Sequence, residues 1–68
     1  MTFKDLRIAH GFTVGELARK SGVPQDTVQN LNRGATAPEN MRLGTAVKLA
    51  VALGLDLETF CTRLDMSF

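Results

Sequence analysis

The two residue types that most readily suggest a metal site or an enzyme each occur once: His10 and Cys61. There is no Cys-x2-Cys, no His pair and no pair of acids set in a plausible pocket pattern, so zinc binding, nucleophilic catalysis and general acid–base catalysis all lack a partner residue. One cysteine also rules out an internal disulfide and suits a reducing compartment. Catalysis is not expected, and neither is a cofactor. His10 reads as a favourable charge near a helix C-terminus, and Cys61 as a small apolar side chain. The remaining chemistry is hydrogen bonding: Gln25, Asp26, Thr27, Gln29 and Asn30 fall within six residues. Such groups recognise a surface rather than transform a substrate. By itself the cluster is also what any solvated helix face looks like.

The elements that must position these groups are helical. Period-two alternation is absent, and the aromatic residues are four Phe with no Tyr or Trp. Phe3, Leu6, Ala9 and His10 mark a first helix that stops at Gly11. Thr13 followed by Glu16 is a capping-box pattern, opening a second helix from Val14 to about Ser21, ended by Gly22. After Val23-Pro24 a third helix runs from Gln25 to Arg33, stopped by Gly34. Gly34 to Gly44 reads as a loop, with a helical turn around Asn40–Leu43. Thr45 is the expected cap of a fourth helix through Leu53, and Asp56 of a fifth carrying Leu57, Phe60, Cys61 and Leu64 on one side. The fold class is therefore all-α, with five short helices over 1–68 as one domain.

The bulk properties agree. At 44% hydrophobic and 22% charged residues the chain has globular composition. Its longest apolar stretch, around Leu49–Leu55, is too short to span a membrane, and no signal-peptide core opens the chain. Net charge is +1, but it is unevenly spread. Through Lys48 there are seven Lys or Arg against four acids, and beyond it one against three. A basic front and an acidic back suit a protein that offers one face to phosphates.

The segment Val14–Leu31 satisfies a specific packing requirement. Two helices that meet steeply through a tight turn need a small residue where the backbones approach, here Ala18. They need a turn residue that tolerates positive φ, here Gly22. They also need apolar residues on the inner side, here Leu17, Val23, Val28 and Leu31. With Val28 and Leu31 inward, a step of about 100° per residue puts Asp26, Gln29, Asn30 and Arg33 on the solvent side, flanked by Gln25 and Thr27. Amides can contact adenine N6 and N7 together.

In order and spacing the chain resembles the Cro and lambda-repressor type of helix-turn-helix domain, often called Xre-like, over nearly its whole length. Leu6-Arg7, Gly11-Phe12-Thr13, Ala46–Leu55 and Asp56–Phe60 resemble the family's flanking helices. The resemblance implies a compact five-helix lambda-repressor-like fold with the helix-turn-helix at about 14–33. It implies binding of double-stranded DNA in the major groove, with base contacts from Gln25, Asp26, Thr27, Gln29 and Asn30. Phosphate contacts are expected from Thr13, Val14 and Gly15 at one helix N-terminus, and from Arg33, Gly34 and Arg42 after the recognition helix, with Lys4, Arg19 and Lys48 as outer contacts. Asp26 is expected to serve the helix dipole at least as much as a base, because Pro24 stands where the family often has a Ser or Thr cap.

Three positions depart from the family pattern. Val14 replaces a common Gln that touches phosphate. Asn32 stands where an acid often pairs with the first-helix arginine, here Arg7, so a neutral hydrogen bond is expected there, or an Arg7 turned to phosphate. The interval between Gly34 and Thr45 is longer than usual.

The C-terminal segment (57–68) is apolar for a chain end, and Phe60, Leu64, Met66 and Phe68 are expected to supply a homodimer interface, formed in solution or only on DNA. The function implied is a cytoplasmic, nucleoid-associated transcriptional regulator of bacterial or phage type, acting as a repressor. The competing reading is an antitoxin-like or adaptor module that keeps the fold and works through a protein partner.

Overall fold

In a computed structural model the described residues are 1–66, and they form five α-helices in the order α1 (Phe3–Ala9), α2 (Val14–Ser21), α3 (Gln25–Asn32), α4 (Leu43–Ala52) and α5 (Leu57–Arg63). A 3-10 turn at Pro38–Asn40 lies in the loop between α3 and α4. No strand occurs among the described residues.

Three helices start where a side chain takes over an orphan N–H. Thr13 and Glu16 form a reciprocal box at α2, and the Asp56 carboxylate accepts from the Thr59 amide at 2.7 Å at α5. The third, at α1, is a second capping box formed by Thr2 and Asp5. The sequence carries its signature, but the reading above passed over it.

Helix α4 begins two residues before the expected cap. Arg42 is the N-cap, without a side-chain cap bond, and the Ala46 amide donates to its carbonyl at 3.0 Å. Thr45 is thus inside the helix rather than capping it. The burial of Ala46, Leu49 and Ala50 fixes the helix axis, and tertiary packing of this kind outweighs a local capping preference. The short turn in the preceding loop forms at Pro38–Asn40, not Asn40–Leu43, because proline at its first position already has the φ a helical turn requires.

One hydrophobic cluster joins the helices, and its fully buried side chains are Phe60, Leu6, Leu17, Leu49 and Val28. Alanines 18, 46, 50 and 52 are buried among them, so helices approach closely and leave volume for the large α5 side chains. No buried side-chain nitrogen or oxygen among the described residues lacks a hydrogen-bond partner. This burial corrects the expectation for the C-terminal segment: Phe60 is 0% exposed and Leu64 5%, so both close the chain's own core and neither is left for a partner. Met66 is half-buried against the same core, and Phe68 lies outside the described residues.

Candidate nucleic-acid interface

The turn between α2 and α3 is built by Gly22, whose φ of +76° is the left-handed conformation that glycine adopts without penalty. Its amide donates to the Ala18 carbonyl at 2.9 Å and closes α2. A detail the sequence reading missed adds a second tie. The Ser21 hydroxyl donates to the Ala18 carbonyl at 3.3 Å and accepts from the Val23 amide at 3.2 Å, so one side chain bridges the helix end and the turn. Val23, Val28 and Leu31 then bury against Leu17 and Ala18, which fixes the angle at which α3 leaves.

That angle exposes the polar side of α3. Gln25, Asp26, Gln29 and Arg33 are exposed, while Thr27 and Asn30 are half-buried at the margins. The Arg33 guanidinium donates to Asn30 Oδ1 at 3.1 Å. This contact takes one of the two acceptor positions of the amide oxygen and leaves the NH2 group out of that bond. Asp26 sits in the first turn of α3, where Pro24 provides no side-chain cap bond. A carboxylate there complements the helix dipole.

The groups expected to meet phosphate surround this face. Gly15, Arg19, Pro24 and Gln25 line one shallow depression, so the N-termini of α2 and α3 open side by side. Of the three residues at the start of α2, Val14 and Gly15 have amides that donate to no group among the described residues. The Thr13 amide donates to Glu16 Oε1 at 3.0 Å, and the Thr13 hydroxyl accepts from the Glu16 amide at 3.1 Å. The bond from the Thr13 amide, followed by the bond involving the Thr13 side chain, holds the Glu16 carboxyl below its ordinary value, with a smaller contribution from the charge of Arg19. The Val14 side chain packs against the core.

At the far end of α3, Gly34 (φ +80°) lets the Ala35 amide return to the Asn30 carbonyl at 2.9 Å, a Schellman-type closure. Arg33 and Gly34 line one depression and Arg42 another, with Leu31 and Thr36 shared between the two. Thr27 borders the Arg42 side. The two basic groups therefore flank Thr36 rather than forming one cluster.

Arg7 directs two of its five N–H donors into the chain. Its Nε donates to Asn32 Oδ1 at 3.0 Å and its Nη1 to the Phe12 carbonyl at 2.6 Å. The neutral bond to Asn32 is the one the sequence suggested, and the Phe12 carbonyl, which the sequence gave no reason to name, fixes the other end. Lys20 instead lies over the Phe12 ring, 5.1 Å from its centre. Among the described residues no Lys or Arg side chain is within ion-pair distance of an acid.

No group of three or more His, Cys, Asp or Glu placed to hold a metal occurs among the described residues, and none of their helices is long and apolar enough to cross a membrane. The arrangement is a surface of hydrogen-bond donors and cations around one projecting helix. No curated protein sequence and no solved structure matches the chain. The family model for the Cro/C1-type HTH DNA-binding domain matches residues 2–65. The chain therefore belongs to the Cro/C1-type helix-turn-helix family of DNA-binding domains.

Proposed function

We propose that the chain, acting as one domain over 1–68, is a sequence-specific transcriptional repressor of bacterial or phage type that works in the cytoplasm on the nucleoid. In this reading α3 enters the major groove. Gln25, Thr27, Gln29 and Asn30 meet base edges, while Asp26 chiefly stabilises the start of the helix. The Val14 and Gly15 amides, the Thr13 hydroxyl, Arg33, the Gly34 backbone and Arg42 meet phosphates on either side. Repression follows from occupancy, and two copies bind the two halves of a symmetric operator.

The observation that carries this reading is the exposed amide-rich side of α3 set between open helix N-termini and cations that no acid neutralises. The test is fluorescence anisotropy against random duplexes at low and moderate salt, followed by selection of bound sequences. The expected result is a two-fold symmetric motif whose binding weakens as salt rises. Absence of binding at low salt refutes it.

A second reading, an adaptor that retains the fold and binds a protein, is favoured by two observations: the exposed Asp26 carboxylate on the groove-facing side, and a net charge of only +1. The same titration separates the two, since an adaptor shows no salt-dependent duplex binding.

A further inference from the structure

Gly22, Val23 and Pro24 make the whole connection between α2 and α3, and its backbone has few means of holding itself. Pro24 has no N–H to give. Gly22 has a φ of +76° and nothing within 4 Å of where a Cβ would stand, so no side chain of its own narrows its dihedral range. The Gly22 amide returns to the Ala18 carbonyl at 2.9 Å, but Val23 is 4% exposed and its amide finds no backbone carbonyl among the described residues. The Ser21 hydroxyl is its acceptor, at 3.2 Å. That hydroxyl also donates to the Ala18 carbonyl at 3.3 Å. Serine near a helix end commonly bonds back to the preceding turn, and that bond alone would concern only the helix. The bond from Val23 goes further, because it makes a half-buried side chain of α2 hold the limb of the turn that leads into α3.

We propose that Ser21 is a positioning residue for base recognition: its hydroxyl fixes the direction in which α3 leaves α2, and with it the sequence specificity of DNA binding. For its biological use this rests on the DNA reading above. Ser21 meets neither base nor phosphate in that reading and acts through Val23. The lever is long enough to matter. Gln29 stands five residues beyond Pro24, the N-cap of α3, which at ~1.5 Å per residue is about 7.5 Å, so a swing of about 10° displaces it by about 1.3 Å. A hydrogen bond to a base edge has a distance window of only about 0.5 Å and is lost over such a shift. The attraction between a cation and a phosphate decays over a screening length of about 8–10 Å and changes little. A loosened turn therefore removes the contacts that choose a sequence and keeps those that hold any duplex.

The experiment compares Ser21→Ala, Ser21→Thr and Ser21→Val with the wild type. Threonine keeps the hydroxyl and valine is its isostere without one, so any cost of branching at Cβ is common to both. Fluorescence anisotropy is measured on the duplex recovered by selection on the wild type and on the random pool. Ser21→Ala and Ser21→Val should lower the ratio of selected to random affinity by about tenfold or more, while Ser21→Thr should stay within about threefold of the wild type. In the free proteins, NMR should show faster exchange of the Val23 amide in the two variants without a hydroxyl, and residual dipolar couplings should show α3 more widely distributed relative to α2. Three results would overturn the proposal: a wild-type affinity ratio or an unchanged helix orientation in the alanine and valine variants, a threonine variant that behaves like valine, or unfolding of both hydroxyl-free variants by circular dichroism, which would make the hydroxyl a requirement of the fold and not of the angle. A wild type that binds no duplex at low salt would refute the DNA reading instead, and the couplings, which need no DNA, would still decide whether Ser21 fixes the angle.

Discussion

Replacing Arg7 with methionine tests whether one side chain sets the position of the recognition helix. Arg7 spans two elements: its Nε reaches the Asn32 amide at the end of α3, and its Nη1 reaches the Phe12 carbonyl before α2. Methionine keeps most of the apolar stem and removes both bonds. A hydrogen bond with one charged partner contributes about 1.5–3 kcal/mol. Phe12 and Asn32 are only half-buried, so their freed oxygens are rehydrated and each bond counts at the low end or below. The loss expected for Arg7→Met is about 2 kcal/mol, which in a domain of this size lowers Tm by roughly 8–16 °C. Asn32→Ala removes one of the two bonds and should cost about 1 kcal/mol. The double mutant should cost less than the sum of the singles by about 1 kcal/mol, because the pair is in contact. Arg7→Lys should fall between wild type and Arg7→Met, since a single ammonium cannot span both acceptors. Urea unfolding followed by circular dichroism at 222 nm gives all four values. A loss below about 0.5 kcal/mol for Arg7→Met, or strict additivity in the cycle, would refute the bracket and return Arg7 to the surface.

Phe60→Ala should cost about 3–5 kcal/mol, enough to leave much of a 68-residue chain unfolded; a chain that melts like wild type by circular dichroism would contradict its place in the core. Gln29→Ala and Asn30→Ala should each weaken binding to a selected operator by about 1–3 kcal/mol, with little change on random duplex. Arg33→Ala should weaken both and reduce the salt slope by about one, because it removes a cation and the tie on Asn30; anisotropy titrations at several salt concentrations check all three. The carboxyls of Glu16 and Asp56 are held below their ordinary values of 4.5 and 3.8, chiefly by backbone hydrogen bonds from Thr13 and Thr59. A lowered native pKa contributes stability that is complete above the unfolded value, so Tm should begin to fall as pH drops through about 4.5 and continue to fall below 3.8. Glu16→Gln and Asp56→Asn should each flatten that fall in thermal melts taken across the range.

The parts of the fold that could be read in the sequence are those set by neighbours along the chain. Gly22 ends α2 because its conformation is a local matter, and Thr13 with Glu16 starts α2 by hydrogen bonds that span three residues. The outward side of α3 followed from Val28 and Leu31 being buried, and those two are buried here. The misreadings arose where distant residues decide. Thr45 is a sound cap by its own chemistry, yet α4 starts at Leu43 because packing along the helix sets its length. Phe60 and Leu64 were assigned to a homodimer interface because they lie in a segment that is apolar for a chain end. The buried alanines 18, 46, 50 and 52 admit them to the core. For Arg7 the expected neutral bond to Asn32 is present, and only the folded chain brings the Phe12 carbonyl to its other end.

The net charge of +1, which favours the adaptor reading, does not describe how the charges are placed. Six of the seven acids occupy helix starts: Asp5, Glu16, Asp26, Glu39 and Glu58 are in first turns, and Asp56 is a cap. There each acid complements the dipole of its helix, and Asp5, Glu16 and Asp56 also bond to backbone amides. Their charge is directed at local structure, and none of them lies within ion-pair distance of a lysine or arginine side chain. The formal sum subtracts them from the cations even so. In the proposed binding mode a phosphate backbone would meet basic groups spaced around α3 that form no ion pair, together with two open amides at the start of α2. Glu16 opposes this least where it matters, because its carboxylate is turned back onto the Thr13 amide while Val14 and Gly15 keep their N–H groups outward. Affinity for DNA depends on how many cations and amides come within reach of phosphates, so it is set by this arrangement and not by the overall balance.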